Sequence, residues 1–222
     1  QEINFVTGNT VDVRSSGIRD KNFLDNEKNI PLNFIPKVYF SERIDEVGIN
    51  SSSMYLQNIT ENRKVSTTLT LSEDRKAISL TPDEPLKAGN YRYRVYVNYC
   101  NTGLVDYSGN NLASCTYGEF YTADDADVAA PVIVSSNVNE GMIDLAVNTP
   151  FKFNFDEPLD VSCLANATIT LSDGVNTYEV DASLTNSRRT LLLKSSENLA
   201  ASTDYSLVVE GLCDYVGLAA DT

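Results

Sequence analysis

The side chains of this chain that could do chemistry are carboxylates. A Glu-x-x-Asp pair occurs twice, as Glu42 with Asp45 and as Glu157 with Asp160. Two neighbouring carboxylates can hydrolyse a glycosidic bond, one acting as general acid and the other as base or nucleophile. Carboxylate oxygens are also the ligands that calcium prefers. The sequence therefore raises two kinds of chemistry, glycoside hydrolysis and cation binding.

Catalytic centres that depend on histidine are excluded, because the 222 residues include none. The chain therefore has no Ser-His or Cys-His dyad and lacks the usual nitrogen ligand of zinc. The formal net charge is −14, from 17 Lys and Arg against 31 Asp and Glu. Such a surface repels phosphate backbones, so nucleic acid is not an expected partner. The excess carboxylate either binds cations or keeps an exposed protein soluble.

The four cysteines, Cys100, Cys115, Cys163 and Cys213, lack the Cys-x-x-Cys spacing of zinc sites. Their even number favours disulfides, which can pair in three ways, and disulfides imply export from the cytoplasm. No apolar run approaches the roughly 20 residues of a membrane-spanning helix. We therefore expect an extracellular or cell-surface protein without a membrane span.

The elements that position these side chains occur twice along the chain. The segment KVYFSERIDEVGINSSSMYL from Lys37 aligns without gaps on KFNFDEPLDVSCLANATITL from Lys152, at an offset of 152 − 37 = 115 residues. A second pair of similar segments begins at residues 74 and 187, and a third pairs DYSG with DYVG. Three blocks in the same order indicate an internal duplication.

Each copy has the pattern of β structure. Residues 151–155 (FKFNF) and 91–97 (YRYRVYV) alternate along the chain, as strands with one buried face do. Turn residues separate such runs, and about seven short strands per hundred residues predict a β-sandwich. Tyr91 and Tyr205 stand at the head of the penultimate strand of each copy. They are candidates for a tyrosine corner, in which the hydroxyl bonds to backbone upstream.

The second copy reads APVIVSSNVNEGMIDLAVNTPFKFNFDEPLD, then a strand block, LxxxxxY and DYVG. It resembles the bacterial Ig-like repeats of S-layer and other surface proteins, and the resemblance covers nearly the whole chain, twice. The second copy has Val216-Gly217-Leu218 where that family has Gly-Asn. The resemblance implies an all-β fold of two tandem immunoglobulin-like β-sandwiches that serve as spacers, anchors or adhesive stalks.

The domain boundaries follow from the repeat. Residues 1–9 are predicted to form an N-terminal strand, residues 10–123 the first Ig-like domain and residues 131–222 the second. The linker TADDADVAAP at 122–131 joins them and ends on a proline, which fixes the entry of the next strand.

Loop placement in such a sandwich predicts the disulfides. The loops between strands two and three and between strands six and seven lie at the pole where the chain enters. Cys163 and Cys213 fall in these two loops of the second domain, and Cys100 and Cys115 both fall in the later loop of the first. We therefore predict the pairs Cys163–Cys213 and Cys100–Cys115.

The same pole collects acidic residues in the second domain. The candidate ligands are Asp124, Asp125, Asp127, Asp156, Glu157, Asp160 and Asp214. Oxygen-only clusters at a domain junction suit calcium, which is the predicted cofactor. The first domain offers Glu42, Asp45 and Asp106 at its pole, beside an entry segment, residues 7–10, that is poor in acid. A solvated acidic surface is the alternative interpretation, since the spacing matches no EF-hand loop.

Catalysis is not expected. Both copies repeat the same Glu-x-x-Asp, whereas duplicated active sites are unusual, and two Ig-like domains offer little groove for a sugar chain. The chain also has no tryptophan, the residue best suited to hold a sugar or a cation on its ring face.

The chain ends suggest a function. TYGEFYT at 116–122 is predicted to close the first domain, and the second domain has no such strand after DYVG. Ile3 and Phe5 lie in a similar strand placed before the predicted opening strand Val11–Arg14. Ile3 and Phe5 would then complete the second domain of a neighbouring copy, giving a head-to-tail filament by donor-strand complementation. A piece of a longer array of such repeats, cut inside two of them, would show the same offset.

Two functions remain at this stage. The first is a structural subunit or stalk of a bacterial surface assembly whose partners are copies of itself or other surface proteins. The alternative is an adhesin or ligand-binding Ig-like module of a longer surface protein. Exposed aromatic residues at one pole, such as Tyr96, Tyr99 and Tyr107, would favour adhesion.

Overall fold

The computed structural model describes residues 3–98, 103–112 and 116–220 of the chain. Within these ranges it has 16 strands, one α-helix and one 3-10 helix, which confirms the all-β prediction. The chain divides into two compact units. The first unit comprises residues 1–30 and 35–124, and the second comprises residues 31–34 and 125–222.

The first unit contains two sheets. One sheet is antiparallel and has the order β1 (Ile18–Lys21), β3 (Lys37–Phe40), β7 (Ala77–Pro82) and β6 (Thr67–Leu71). The other has the order β2 (Glu27–Ile30), β9 (Thr116–Thr122), β8 (Arg92–Val97), β4 (Met54–Asn58) and β5 (Arg63–Lys64). Only the β2–β9 pair of that second sheet is parallel. A 3-10 helix, Glu46–Gly48, lies between β3 and β4.

The second unit repeats this plan with fewer strands. Its four-stranded sheet has the order β10 (Ile133–Ser136), β11 (Phe151–Phe155), β15 (Thr190–Ser195) and β14 (Val180–Thr185). Its other sheet has the order β13 (Thr177–Tyr178), β12 (Thr168–Ser172) and β16 (Ser206–Glu210). The single α-helix of the described chain, α1 (Val161–Asn166), occupies the place of the 3-10 helix.

The repeat inferred from sequence holds at the level of strand register. Ile18 pairs with Phe40 in the first unit, and Ile133 pairs with Phe155 in the second, each just before a register shift. Both pairs are related by 133 − 18 = 155 − 40 = 115 residues. A β-bulge increases local twist, so its repetition gives the two units the same strand geometry at this point.

The two units differ in the sheet that contains β9. In the first unit β9 lies between β2 and β8, and its Phe120 is fully buried. In the described part of the second unit, β16 occupies the place of β8 but has a neighbour on one side only, which is β12. The side chains of β16 are accordingly all exposed or half-buried, whereas Tyr93, Val95 and Val97 of β8 are buried.

The prediction that residues 11–14 form the opening strand of the first unit is wrong. Residues 11–14 have no strand conformation, and the side chains of Val11 and Val13 are 85% and 77% exposed. The strand that pairs with β3 is β1, which begins at Ile18. Alternating valines therefore do not form a strand where no sheet edge lies beside them to accept their backbone hydrogen bonds.

A tyrosine corner occurs in both units. Tyr205 Oη accepts a hydrogen bond from the backbone N–H of Ala200 at 2.9 Å, as predicted. In the first unit the equivalent bond, from the N–H of Lys87 at 3.0 Å, is accepted by Tyr93 and not by Tyr91. Tyr93 points into the core, with 2% of its surface exposed, so its hydroxyl can reach back to the chain before the strand.

Removing this hydroxyl tests the corner. We expect Tyr93→Phe and Tyr205→Phe each to lower the free energy of unfolding by about 1 kcal/mol, because each leaves a backbone N–H without its partner. Tyr91→Phe is the matched control and should stay within about 0.5 kcal/mol of the unchanged protein. Urea unfolding followed by circular dichroism measures all three, and a loss for Tyr91→Phe equal to that for Tyr93→Phe would contradict the assignment.

Within the described residues, neither helix has the length or the apolar character required to traverse a lipid bilayer.

Candidate metal centre

The predicted Cys163–Cys213 disulfide is present, with a Cα–Cα distance of 5.7 Å. Cys163 lies in α1, and Cys213 directly precedes Asp214. The bridge therefore ties α1 to the loop that carries Asp214. Cys100 and Cys115 lie outside the described residues, so their pairing stays a prediction.

The loop after Cys213 is built around the carboxylate of Asp214. Its Oδ1 accepts hydrogen bonds from three successive backbone N–H groups, those of Val216, Gly217 and Leu218, at 2.7 to 2.8 Å. Gly217 has φ +93, a conformation that favours glycine and lets the chain turn back around the carboxylate. Asp214 is fully buried, and its Oδ2 has no hydrogen-bond partner.

Two other carboxylates meet Asp214. Asp127, Glu157 and Asp214 each offer one oxygen, and these three oxygens lie within 4.8 Å of one another. We call this group the second triad. The backbone of Asp127 is held by Asn33, whose side chain accepts from the Asp127 N–H at 2.9 Å and donates to its carbonyl at 2.8 Å.

The pKa values reflect the crowding of negative charge in the second triad. The pKa of Glu157 is raised to about 8, first by burial and then by a hydrogen bond to Asp127 and the charges of Asp127, Asp214 and Asp156. Burial also raises the pKa of Asp214, although its bonds from backbone N–H groups act in the opposite direction. Burial and mutual repulsion therefore disfavour the simultaneous ionisation of all three carboxylates.

The other predicted ligands are not part of the second triad. Asp124, Asp125 and Asp156 are exposed, and Asp156 accepts a hydrogen bond from the Val132 N–H at 2.9 Å. Asp160 caps α1, because its Oδ1 accepts from the backbone N–H of Ser162 at 2.7 Å. The described structure thus brings three of the seven predicted residues, the second triad, into one group.

The first unit holds an equivalent group that the sequence analysis found only in part. Asp12, Glu42 and Asp106 also place one oxygen each within 4.8 Å of one another, and we call them the first triad. Asp45, which was predicted here, caps the 3-10 helix through the N–H of Val47 at 3.0 Å. Asp12 was missed because residues 11–14 were interpreted as a strand. The signal was present, since 127 − 12 and 157 − 42 both equal 115.

The backbone around both triads is also the same. Ile44 forms an isolated bridge to Asp106, and Leu159 forms the same bridge to Asp214. Both apolar residues are fully buried. In each unit, the bridge to this buried apolar residue therefore holds the backbone of Asp106 or Asp214 at the equivalent position.

The two triads differ in their hydrogen-bond donors. In the first triad Asn110 Nδ2 donates to Asp106 Oδ2 at 3.1 Å, and Ser108 Oγ donates to Asp12 Oδ2 at 3.0 Å. The equivalent residues beside the second triad are Leu218 and Val216, because DYSGN in one copy matches DYVGL in the other. These apolar side chains donate no hydrogen bond, which accounts for the unpartnered Oδ2 of Asp214.

The fold and its repetition define a protein made of tandem Ig-like sandwiches. A sequence profile of the bacterial Ig-like domain family matches residues 12–122 and residues 127–222. These two ranges cover most of the chain, so the chain belongs to the bacterial Ig-like domain family. No curated protein matches the chain by sequence.

Several solved structures are similar to the chain at low identity. The N-terminal part of the bacterial S-layer protein SbsC is 12% identical with a TM-score of 0.40, over 94% of this chain and 45% of that one. CopC from Methylosinus trichosporium OB3b is 12% identical with a TM-score of 0.36, over 51% of this chain and 99% of that one. E. coli alpha-2-macroglobulin is 11% identical with a TM-score of 0.38, over 89% of this chain and 12% of that one.

The chain thus spans less than half the length of the SbsC chain. Identities and TM-scores this low carry no information about function, which must be inferred from the chain's own residues.

Proposed function

We propose that the chain is a structural module of an extracellular bacterial surface assembly, in which a strand from a second copy pairs with β16. Membership of the bacterial Ig-like domain family supports a modular, non-enzymatic role. The Cys163–Cys213 disulfide supports an oxidising location, since such bonds persist outside the cytoplasm. The net charge of −14 suits a protein that remains soluble on a cell surface.

The observation that carries the proposal is the edge position of β16. In the first unit the equivalent strand β8 has β9 on one side and β4 on the other. Among the described strands of the second unit, β16 has only β12 beside it. Val208 of β16 is 45% exposed, and β12 has one buried residue where β4 has three. An exposed strand edge with apolar side chains is a template for pairing with another chain.

The segment Ile3–Thr7 resembles β9, which lies beside β8 in the first unit. Phe5 and Thr7 correspond to Phe120 and Thr122 of β9, because 120 − 5 and 122 − 7 both equal 115. Phe120 is fully buried in the first unit, whereas Phe5 is 80% exposed and Ile3 is 74% exposed. Phe5 therefore corresponds to a buried side chain but is itself exposed, which makes its segment a candidate donor strand.

Pairing of this segment with β16 of another copy would be head-to-tail. The donor surface and the acceptor surface are different, so each added copy leaves one of each available and the assembly grows as a filament. The acceptor would gain backbone hydrogen bonds along β16, and Phe5 would enter the core of the second unit as Phe120 enters that of the first.

The test compares two neighbouring substitutions, Phe5→Ser and Val6→Ser. Successive residues of a strand face opposite sides, so Phe5 should be buried on pairing and Val6 should not. We expect the unchanged protein and Val6→Ser to form fibres by negative-stain microscopy and multimers by size exclusion. Phe5→Ser should stay monomeric, as should the protein without residues 1–7.

Two results would overturn the proposal. One is a monomeric unchanged protein at all accessible concentrations. The other is fibre formation that persists in Phe5→Ser, which would mean that some other surface assembles the copies.

Adhesion through exposed aromatic residues gains no support from the described residues. Tyr96 is 8% exposed and stacks on Tyr55 with 4.6 Å between ring centroids, so it is part of the sheet packing. Tyr107 is 60% exposed, and Tyr99 lies outside the described residues. Tyr117 is the other exposed tyrosine of the described residues, at 50%, and its ring lies 6.1 Å from that of Tyr96 in the sheet, so Tyr107 has no partner ring in a patch.

A further inference from the structure

We propose that the second triad binds one calcium ion and that the equivalent first triad does not, because the first triad is closed by side-chain hydrogen bonds. The second triad lies within the second unit, and its binding of calcium does not depend on strand exchange at β16.

Asp214 is the most buried residue of the second triad. Its side chain is fully buried, its Oδ1 is occupied by three backbone N–H groups, and its Oδ2 has no partner. Buried carboxylate oxygens in native proteins are paired with a donor or a cation. Since Oδ1 is already satisfied, Oδ2 is the oxygen of Asp214 that remains for a ligand.

Asp127 and Glu157 bring further carboxylate oxygens to within 4.8 Å, so the groups that surround Asp214 add negative charge. A cation among the three oxygens would neutralise this charge.

The first triad has the same three residue types at the same places of the repeat. There Asn110 donates to both oxygens of Asp106, at 3.4 and 3.1 Å, and Ser108 donates to Asp12. Asp106 therefore has no unpartnered oxygen, and an amide occupies the position that a cation would need. Replacement of these donors by Leu218 and Val216 removes both bonds from the second triad.

The identity of the ion follows from the ligands. All three are carboxylates, the chain contains no histidine, and Cys163 and Cys213 are bonded to each other, so the second unit offers no nitrogen or thiolate ligand for zinc. Magnesium requires near-ideal octahedral geometry, whereas calcium accepts six to eight oxygens in flexible geometry and completes its shell with water. Three carboxylates carried by separate loops suit calcium.

The experiment measures binding and stability together. Terbium luminescence reports occupancy, because Tyr215 directly follows Asp214 and its ring can sensitise a bound lanthanide. We expect one terbium ion per chain, displaced by calcium, and a higher melting temperature in calcium than in chelator, since a ligand that binds only the folded state stabilises it. Magnesium at the same concentration should displace terbium at least tenfold less effectively.

Three variants assign the signal to the second triad. Asp214→Asn should abolish the luminescence and the calcium-dependent shift in melting temperature. The double variant Val216→Ser with Leu218→Asn copies the donors of the first triad and should weaken calcium binding at least tenfold without removing any carboxylate. Asp12→Asn, in the first triad, is the matched control and should bind as the unchanged protein does. Circular dichroism in chelator checks that each variant is folded.

Three outcomes would overturn the inference. The first is an identical melting curve in millimolar calcium and in chelator, with no terbium signal. The second is two ions bound per chain, or equal losses in Asp12→Asn and Asp214→Asn, either of which would mean that the first triad is not closed. The third is unchanged affinity in the double variant, which would mean that the donors beside the triad do not control binding.

Discussion

Phe120→Ala is expected to lower the free energy of unfolding of the first unit by about 3–5 kcal/mol, the usual cost of removing a buried aromatic ring. Phe120 is fully buried in β9, which lies between β2 and β8. Its ring packs edge-on against Phe23 at 5.2 Å and stacks on Tyr93 at 5.7 Å between centroids. Alanine would lose both ring contacts and leave a cavity that flanking strands cannot fill.

Urea unfolding followed by tyrosine fluorescence measures this loss, since the chain has no tryptophan. Val47→Ala is the control, because Val47 is 89% exposed and its truncation should change the unfolding free energy by no more than about 0.5 kcal/mol. A loss below about 1 kcal/mol for Phe120→Ala would show that β9 is not a central part of the first unit's core.

The sequence predicted correctly those strands whose apolar residues alternate and which have neighbouring strands to pair with. FKFNF at 151–155 became β11, and its Phe151 and Phe155 are buried while Lys152 is exposed. TYGEFYT became β9, with Phe120 inward. Alternation reports which face of a strand is apolar, and it is reliable where neighbouring strands are present on the sheet.

Residues 11–14 show the limit of that signal. VDVR alternates as well as FKFNF does, yet both valines are exposed, because β1 at 18–21 takes the position beside β3. A local pattern contains no information about which of two neighbouring segments wins a sheet edge. The same error concealed Asp12, which the constant offset of 115 residues to Asp127 could have revealed.

The sequence predicted that the candidate site consists of carboxylates, but not which of them come together. Asp160 and Asp45 have the right residue type and lie next to the right loops, but each caps a short helix instead. Aspartate at a helix N-cap bonds the backbone two residues on, and this local bond competes with any distant ligand. The replacement of Asn by Leu218 was visible in the sequence, but its consequence depends on the unpartnered oxygen of Asp214, which only the fold reveals.

Removing the Cys163–Cys213 disulfide is expected to lower the free energy of unfolding of the second unit by about 4 kcal/mol. The bond joins residues separated by 50 positions, and closing a loop of this length restricts the unfolded chain by about that amount in the chain-entropy account. The bond also fixes α1 to the loop that carries Asp214, so its loss should loosen that loop in the folded state as well.

The double substitution Cys163→Ser with Cys213→Ser is the appropriate variant. Reduction with a thiol would act equally on any bond that Cys100 and Cys115 form, and single substitutions would leave a free thiol that can exchange with them. Ser162→Ala is a control for disturbance of α1, because it keeps the bond and removes only the hydroxyl that donates to Asp160 at 2.8 Å. Calorimetry should show a large downward shift in melting temperature for the double variant and a small one for the control. Equal shifts would mean that the disulfide contributes no more than the local packing of α1. The second unit would then be stable without a covalent link between α1 and the loop that carries Asp214.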